Sequence, residues 1–359
     1  MPNQGSNLDF TDPESVVLPI TPLGIFQGAK IIFFFYLCKN KKIMAHTYSI
    51  GVDIGGTNTD IGLVRNDGKI VMRRNIPTNK YFDIDVYLKD ITDLVKEMMK
   101  ENEIESIDGI GICAPNGNYY KCTFSGATNL NFKGDFNVQE IVNKYMNVPV
   151  VVSNDANAAA FGEMVYGGGK GMKHLITFTL GTGVGSGIII DGKLVLGSTG
   201  GAGELGHVIT IPGGRQCGCG LKGCLETYTS ATGIRRTALE MLENNPSYDG
   251  ILSKIPAEEL TSKAVGDAAN AGDPLAIQIF EETGKVLGLA MANACSFSSP
   301  EAVFLMGGPV KAGDVLLNPV RKSFAENLLF VYKDSVEVRV SELPDNDVAI
   351  LGAAALAKA

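Results

Sequence analysis

A membrane-spanning helix needs about 20 consecutive apolar residues, and the sequence offers none. A compact apolar run, IIFFFYLC at 31–38, stops after eight residues and is followed by Lys39, Lys41 and Lys42. An export signal would carry its basic residues ahead of such a run. Here the first 29 residues hold Asp9, Asp12 and Glu14 but neither Lys nor Arg. The expectation is a cytoplasmic protein with no membrane partner. A basic excess is missing too: 31 Lys and Arg stand against 39 Asp and Glu, a formal net charge of −8. That argues against broad nucleic-acid binding, which needs a basic face. No G-x-x-x-x-G-K-[ST] loop occurs, so no nucleotide is held by a P-loop. Histidine is scarce, with three in the chain. The seven cysteines are odd in number, and three of them fall within 217–224. That is a poor disulfide framework and suits a metal site in a reducing compartment.

What is present is ordinary globular composition, 45% hydrophobic and 19% charged, in 359 residues, enough for two domains. The regular pattern begins near Met44. Residues 1–43 read as an extension that adds nothing to catalysis, and Met44 as a possible true start. Tyr48 to Ile54 reads as a strand, Gly55-Gly56 as a turn, Thr59 to Arg65 as a second strand, and Asn66-Asp67-Gly68 as a hairpin signal before Lys69 to Arg73. The spacing of apolar residues predicts a helix over Tyr81–Met99. Ile107–Ala114 and Val148–Val152 read as buried strands, Ala156 onward as a helix, Pro274–Phe297 as a long helix, and Val348–Ala357 as a packed terminal helix. Strands and helices alternate, which indicates an α/β fold. The second half repeats the opening. Gly56-Thr57 followed by Asp67-Gly68-Lys69-Ile70-Val71 is matched by Gly181-Thr182 followed by Asp191-Gly192-Lys193-Leu194-Val195. Two copies of one strand–glycine turn–strand unit suggest two similar lobes facing a shared cleft.

The turns carry the first chemistry. Asp53-Ile54-Gly55-Gly56-Thr57-Asn58-Thr59 sets a carboxylate, two glycines and two hydroxyls at a strand end. Glycine lets backbone N–H groups approach an anion, and a carboxylate beside phosphates can hold Mg²⁺. Gly181-Thr182-Gly183 is a second such turn, and Gly307-Gly308 adds a third glycine pair. Gly201-Ala202-Gly203-Glu204-Leu205-Gly206 fits G-x-G-x-x-G, but a dinucleotide site would need a strand directly before it and a helix directly after. His207, Cys217, Cys219 and Cys224 make a complete Cys₃His set within 18 residues, the ligand set of a tetrahedral zinc ion. Four protein ligands leave no open position, so such a metal is structural.

From Glu204 to Glu226 the pattern Glu-x-Gly-His, nine residues, Cys-x-Cys-Gly-x-x-Gly-Cys-x-Glu resembles the signature of the ROK family of sugar kinases and related repressors. Asp53-Ile54-Gly55-Gly56-Thr57 and Leu180–Gly185 are similar to its two phosphate motifs, and Met306-Gly307-Gly308 to its adenosine turn. The resemblance covers roughly 48–357. It implies a two-lobed actin-like ATPase (ribonuclease H-like) fold, with 44–152 plus 345–359 in the N-terminal lobe and 153–344 in the C-terminal lobe. It further implies ATP-dependent phosphorylation of a hexose at its 6-hydroxyl, glucose first, by a homo-oligomer, dimer before tetramer, that uses ATP, Mg²⁺ and structural Zn²⁺. Carried over, Asn154 and Asp155 bind sugar, with Asp155 as catalytic base. Glu204, His207 and Glu226 contact sugar hydroxyls, with His207 also on zinc, and Gly117 and Asn129 lie where the N-terminal lobe meets the sugar. Asp53, Gly55, Gly56, Thr57, Asn58, Gly181, Thr182, Gly183, Gly307 and Gly308 serve ATP. Ala114-Pro115-Asn116-Gly117-Asn118 departs from the family's commoner Pro-Gly pattern, which leaves sugar identity open. From the residues alone, Asn154 or Asp155 could also be a helix cap. The alternatives within the family are a sugar-responsive transcriptional regulator and a non-catalytic sugar-binding protein. A regulator would need an N-terminal winged helix, and the roughly 45 residues before the first phosphate motif show no basic recognition helix.

Overall fold

Strand β1 (Tyr48–Ile54) runs antiparallel to β2 (Thr59–Arg65), which runs antiparallel to β3 (Ile70–Ile76). On its other side β1 takes the parallel strands β4 (Ile110–Cys113) and β8 (Val150–Ser153), giving the order β3-β2-β1-β4-β8. Between them lies a three-stranded sheet of β5 (Gly117–Asn118), β6 (Thr123–Ser125) and β7 (Asp135–Asn137). The second half repeats the plan. β9 (Leu175–Leu180), β10 (Val184–Ile190) and β11 (Lys193–Leu194) are antiparallel, and β12 (Ala302–Met306) and β13 (Glu337–Val340) add in parallel, in the order β11-β10-β9-β12-β13. The duplication read in the sequence is thus a duplication of whole sheets. The computed structural model describes residues 46–125, 130–132 and 134–358. The extension at 1–43, with Cys38, and Asn129 lie outside the described residues.

Nine helices are found among the described residues: α1 (Ile84–Glu101), α2 (Val138–Asn143), α3 (Asp155–Tyr166), α4 (Glu226–Thr229), α5 (Ala231–Asn244), α6 (Ser262–Asn270), α7 (Pro274–Ser298), α8 (Asp314–Asn327) and α9 (Val348–Leu356). None of the described helices is long and apolar enough to cross a membrane. Helix α1 starts three residues later than the apolar spacing predicts, because Asp83 caps it. The Asp83 carboxylate accepts from the Asp85 and Val86 N–H groups, two donors a helix start leaves unpaired. Helix α7 begins on Pro274 directly after its cap, Asp273, where proline's missing N–H costs nothing.

Each sheet has its own core. Ile50, Val52, Ile61 and Leu63 meet Tyr87, Ile91, Val95 and Met98 of α1. Ile176, Phe178 and Ile188 belong to the core that includes Ile279, Phe280, Leu287 and Met291 of α7. Two helices fill the other faces. Helix α9 lies on β1 and β4 so closely that a Cβ at Gly51 would stand 2.0 Å from Ile350 O, and one at Gly111 1.7 Å from Ala353 O. Helix α3 is shared: a Cβ at Gly187 of β10 would meet Ala160 Cβ at 2.4 Å, while one at Gly352 of α9 would meet Ala158 O at 2.5 Å. A run of small residues in α3 therefore sits between the two halves, directly behind its first residue, Asp155.

Candidate active site

The C-terminal ends of the parallel strands open on a cleft of about 710 Å³. Ends of parallel strands are where open α/β sheets bind ligands. The cleft is lined from the first half by Asn116, Gly117 and Asn118, from the head of α3 by Asn154, Asp155 and Ala156, and from the second half by Gly181, Gly183, Glu204, Glu226, Gly307 and Gly308. The sequence-derived candidates Gly117, Asn154, Asp155, Glu204, Glu226, Gly181, Gly183, Gly307 and Gly308 thus meet on one cavity. Thr182 sits on the exposed tip of its turn, its carbonyl accepting from Thr232 Oγ1 at 2.9 Å.

At the head of α3 the two neighbours divide their tasks. Asn154 is the cap: its Oδ1 accepts from Asn157 N–H at 2.8 Å. Asp155 is the first helical residue. Its carboxyl is open to the cleft, yet surrounding protein raises its pKa above the usual carboxylate range by desolvation. Asp53, at the tip of β1, is pushed up to about 6 by burial first, then by the charges of Asp155 and Asp60. Cys113, beside Asp53 in register, has its thiol raised well above normal by burial and then by Asp155 and Asp53. A carboxyl held beside a second negative charge, as Asp53 is beside Asp155, is a donor that suits a divalent cation. The turn beyond Asp53 closes with Gly55 N–H donating to Asn58 O at 3.0 Å. Gly55 and Gly56 are half-buried there, and Thr57 and Asn58 are exposed.

The second half supplies the other wall. Gly307 adopts φ +104, and a Cβ there would stand 2.1 Å from Leu180 O, so only glycine fits. The Glu226 carboxylate rests on the second glycine turn, with Oε2 accepting from Val184 N–H at 2.9 Å. A Cβ at Gly183 would lie 2.2 Å from that same oxygen. The other carboxylate oxygen, Oε1, is 3.7 Å from Cys217 Sγ.

Behind Glu226 stand His207, Cys217, Cys219 and Cys224, whose ligand atoms lie within 4.8 Å of one another. His207 Nδ1 is 3.7 Å from Cys217 Sγ, and Cys219 Sγ is 3.6 Å from Cys224 Sγ. The cysteines are free thiols, not a disulfide. Zinc–sulfur bonds of about 2.3 Å at tetrahedral angles would put the sulfurs about 3.8 Å apart. The spacing fits one metal ion. His207 faces the cysteines and is not among the cleft-lining residues.

Residues that sequence reading passed over also face the cleft: Asn116, Asn118, Thr179, Ser186 and Thr199. Asn118 Nδ2 donates to Thr199 O at 2.9 Å, and Tyr120 OH to Gly197 O at 2.9 Å. These bonds join segments about 80 residues apart, so no local pattern announces them. The G-x-G-x-x-G stretch at 201–206 runs into a short 3₁₀ turn, Leu205–His207, with no helix after it. A dinucleotide loop is thereby excluded.

Residues 49–359 match the family model described as ROK family. A glucokinase of Halalkalibacterium halodurans is 37% identical over 319 residues, covering 88% of this chain and 96% of that protein. A solved ROK family glucokinase from Streptomyces griseus, in complex with glucose and AMPPNP, is 33% identical with a TM-score of 0.69, over 87% of this chain and 99% of that one. A xylose repressor of Bacillus subtilis is 28% identical over 84% of this chain and 75% of the repressor. With the family pattern running through nearly all of the described residues and the doubled sheets matching solved members, the chain belongs to the ROK family and has its actin-like ATPase fold.

Proposed function

We propose that this protein is an ATP-dependent hexose kinase that phosphorylates the 6-hydroxyl of a sugar, glucose first, with Asp155 as general base. The observation that carries the reading is the division of labour at α3. Asn154 caps the helix, so the Asp155 carboxyl is left on the cleft wall between the glycine turns and Glu204 and Glu226. The attacking hydroxyl must lose its proton as its oxygen bonds the terminal phosphorus of ATP and ADP leaves. Asp155 accepts that proton, and its raised pKa makes it a better base than a free carboxylate. Backbone N–H groups of Gly56–Asn58, Thr182 and Gly183 meet the phosphate oxygens, with Gly307 and Gly308 toward the adenosine. Glu204, Glu226 and Asn154 hold sugar hydroxyls, with Gly117 at the facing wall.

Asp53 would hold Mg²⁺, which supplies neutralising charge to the phosphates. Cys217, Cys219, Cys224 and His207 Nδ1 would hold a structural Zn²⁺, leaving the other ring nitrogen of His207 for a sugar hydroxyl. Thiol ligands of that kind call for a reducing compartment, so we place the reaction in the cytoplasm. The lobes divide as 44–152 plus 345–359 and 153–344. Exposed Val208, Ile209 and Phe297 form an apolar face suited to a second copy of the chain, hence a homodimer.

A coupled assay for ADP release over glucose, fructose, mannose and N-acetylhexosamines tests the reading. Turnover on glucose is expected to exceed the others. Sugar binding without ADP release would instead mark a sugar-responsive regulator or a non-catalytic sugar-binding protein.

A further inference from the structure

Glu204 sits where the backbone has least reason to hold still. Glycines at 200, 201, 203 and 206 surround it, and Gly200 and Gly203 adopt φ +87 and +89. Glu204 is exposed at φ −77 and ψ 55, and Leu205 N–H donates to Gly203 O at 2.8 Å. Those angles and that bond are an inverse γ-turn with Glu204 at its apex. One short bond is a weak tie for a carboxylate that must meet a ligand at a set place.

Both hydrogen-bonding groups of that turn meet a single hydroxyl. Ser186 Oγ donates to Gly203 O and accepts from Leu205 N–H at 3.0 Å. Ser186 is buried in β10, opposite Phe178 of β9. Its side chain is therefore fixed by the sheet, not by the loop. The turn is pressed onto the same strand just beyond, where a Cβ at Gly206 would stand 2.0 Å from Val184 O.

We propose that Ser186 is the positioning residue for Glu204, closing the γ-turn on both sides so that the carboxylate is already placed when sugar arrives. The proposal rests on the reading that the cleft binds a hexose through Glu204. Both bonds of the Ser186 hydroxyl go to the turn, so its part is indirect. Without its hydroxyl, ordering of the Gly203–Leu205 turn would draw on the free energy of sugar binding.

The test is steady-state kinetics of five proteins: wild type, Ser186→Ala, Ser186→Thr, Glu204→Gln and the Ser186→Ala, Glu204→Gln double variant. Ser186→Ala should raise the sugar KM about tenfold, as expected when one or two residues must be ordered at binding. The KM for ATP should stay within about twofold, and kcat should fall less than the sugar KM rises. Ser186→Thr keeps a hydroxyl on a strand-favouring side chain and should bring the sugar KM back toward wild type. On the Glu204→Gln background, removing Ser186 should cost less than in the wild type, because it acts through the side chain at 204. Should Ser186→Ala not fold, Ser186→Cys, a weak donor and acceptor, is read in the same way. A sugar KM within about twofold of wild type overturns the proposal while leaving the kinase reading intact. So does an undiminished Ser186 effect in the double variant. A Glu204→Gln enzyme with an unchanged sugar KM overturns the reading of Glu204 and the proposal with it.

Discussion

At the tip of β1 stands Asp53, and at the matching place in β9, one residue before the strand's end, stands Thr179. The sheets around them share one strand order and one pattern of pairing, and both hairpins turn on glycine. Yet the first copy brings a carboxyl pushed up to about 6, while the second brings a neutral hydroxyl and, beyond β11, the loop with Glu204 and the Cys/His cluster. Duplication supplies a symmetric cradle. The asymmetric side chains hung on it make its two walls chemically different.

Breaking the second copy alone should have the largest effect. Replacing Cys224 by Ser, or stripping metal with a chelator, should abolish turnover and lower the melting temperature by more than about 10 °C, because a structural metal's binding energy is folding energy. Elemental analysis checks the premise: active protein with less than about 0.2 zinc per chain would refute it.

The shared helix between the copies comes next. Asp155→Asn should cut kcat by about 10² or more, the usual worth of a positioned base. Melting temperature and ATP affinity should hardly move, since Asn154, not Asp155, caps α3. Retention of more than about a tenth of wild-type turnover would disqualify Asp155 as the base. In the wild type, turnover should fall as pH drops through the raised pKa of Asp155 and that carboxyl takes up a proton.

Within the second glycine turn, Gly183 and Gly181 can be set against each other. A Cβ at Gly183 meets the Glu226 carboxylate at 2.2 Å, whereas one at Gly181 meets nothing within 4 Å. Gly183→Ala should raise the sugar KM and destabilise by about 1–3 kcal/mol. Gly181→Ala should leave the melting temperature within about 2 °C of wild type. Equal melting curves for the two would show that Glu226 moves aside freely.

The smallest effect separates the copies by pH. The folded-state pKa of Asp53 lies near 6, above its unfolded value of 3.8, so its ionised form costs stability. The cost is absent below about pH 4, grows between about 4 and 6, and is complete above. Asp53→Asn should therefore stabilise the metal-free protein at pH 8 by at most about 3 kcal/mol and do nothing at pH 4. Thr179→Val in the other copy should shift melting equally at both pH values, as no charge is involved. Denaturant midpoints at the two pH values decide it.

The sequence by itself determined whatever is carried by neighbours along the chain. The Cys/His cluster could be read because its four residues fall within 18 positions, and the glycine turns because strand, turn and strand are contiguous. The ROK signature from Glu204 to Glu226 is local in the same sense. Only the tertiary structure assigned the cap to Asn154 and left Asp155 to the cleft, since both residue types cap helices well and only backbone geometry separates them. It also placed Ser186 beneath Glu204, Asn118 against Thr199, and α3 between the two sheets. Those contacts join residues far apart in sequence. A buried serine in a strand looks the same whether or not a loop returns to meet it.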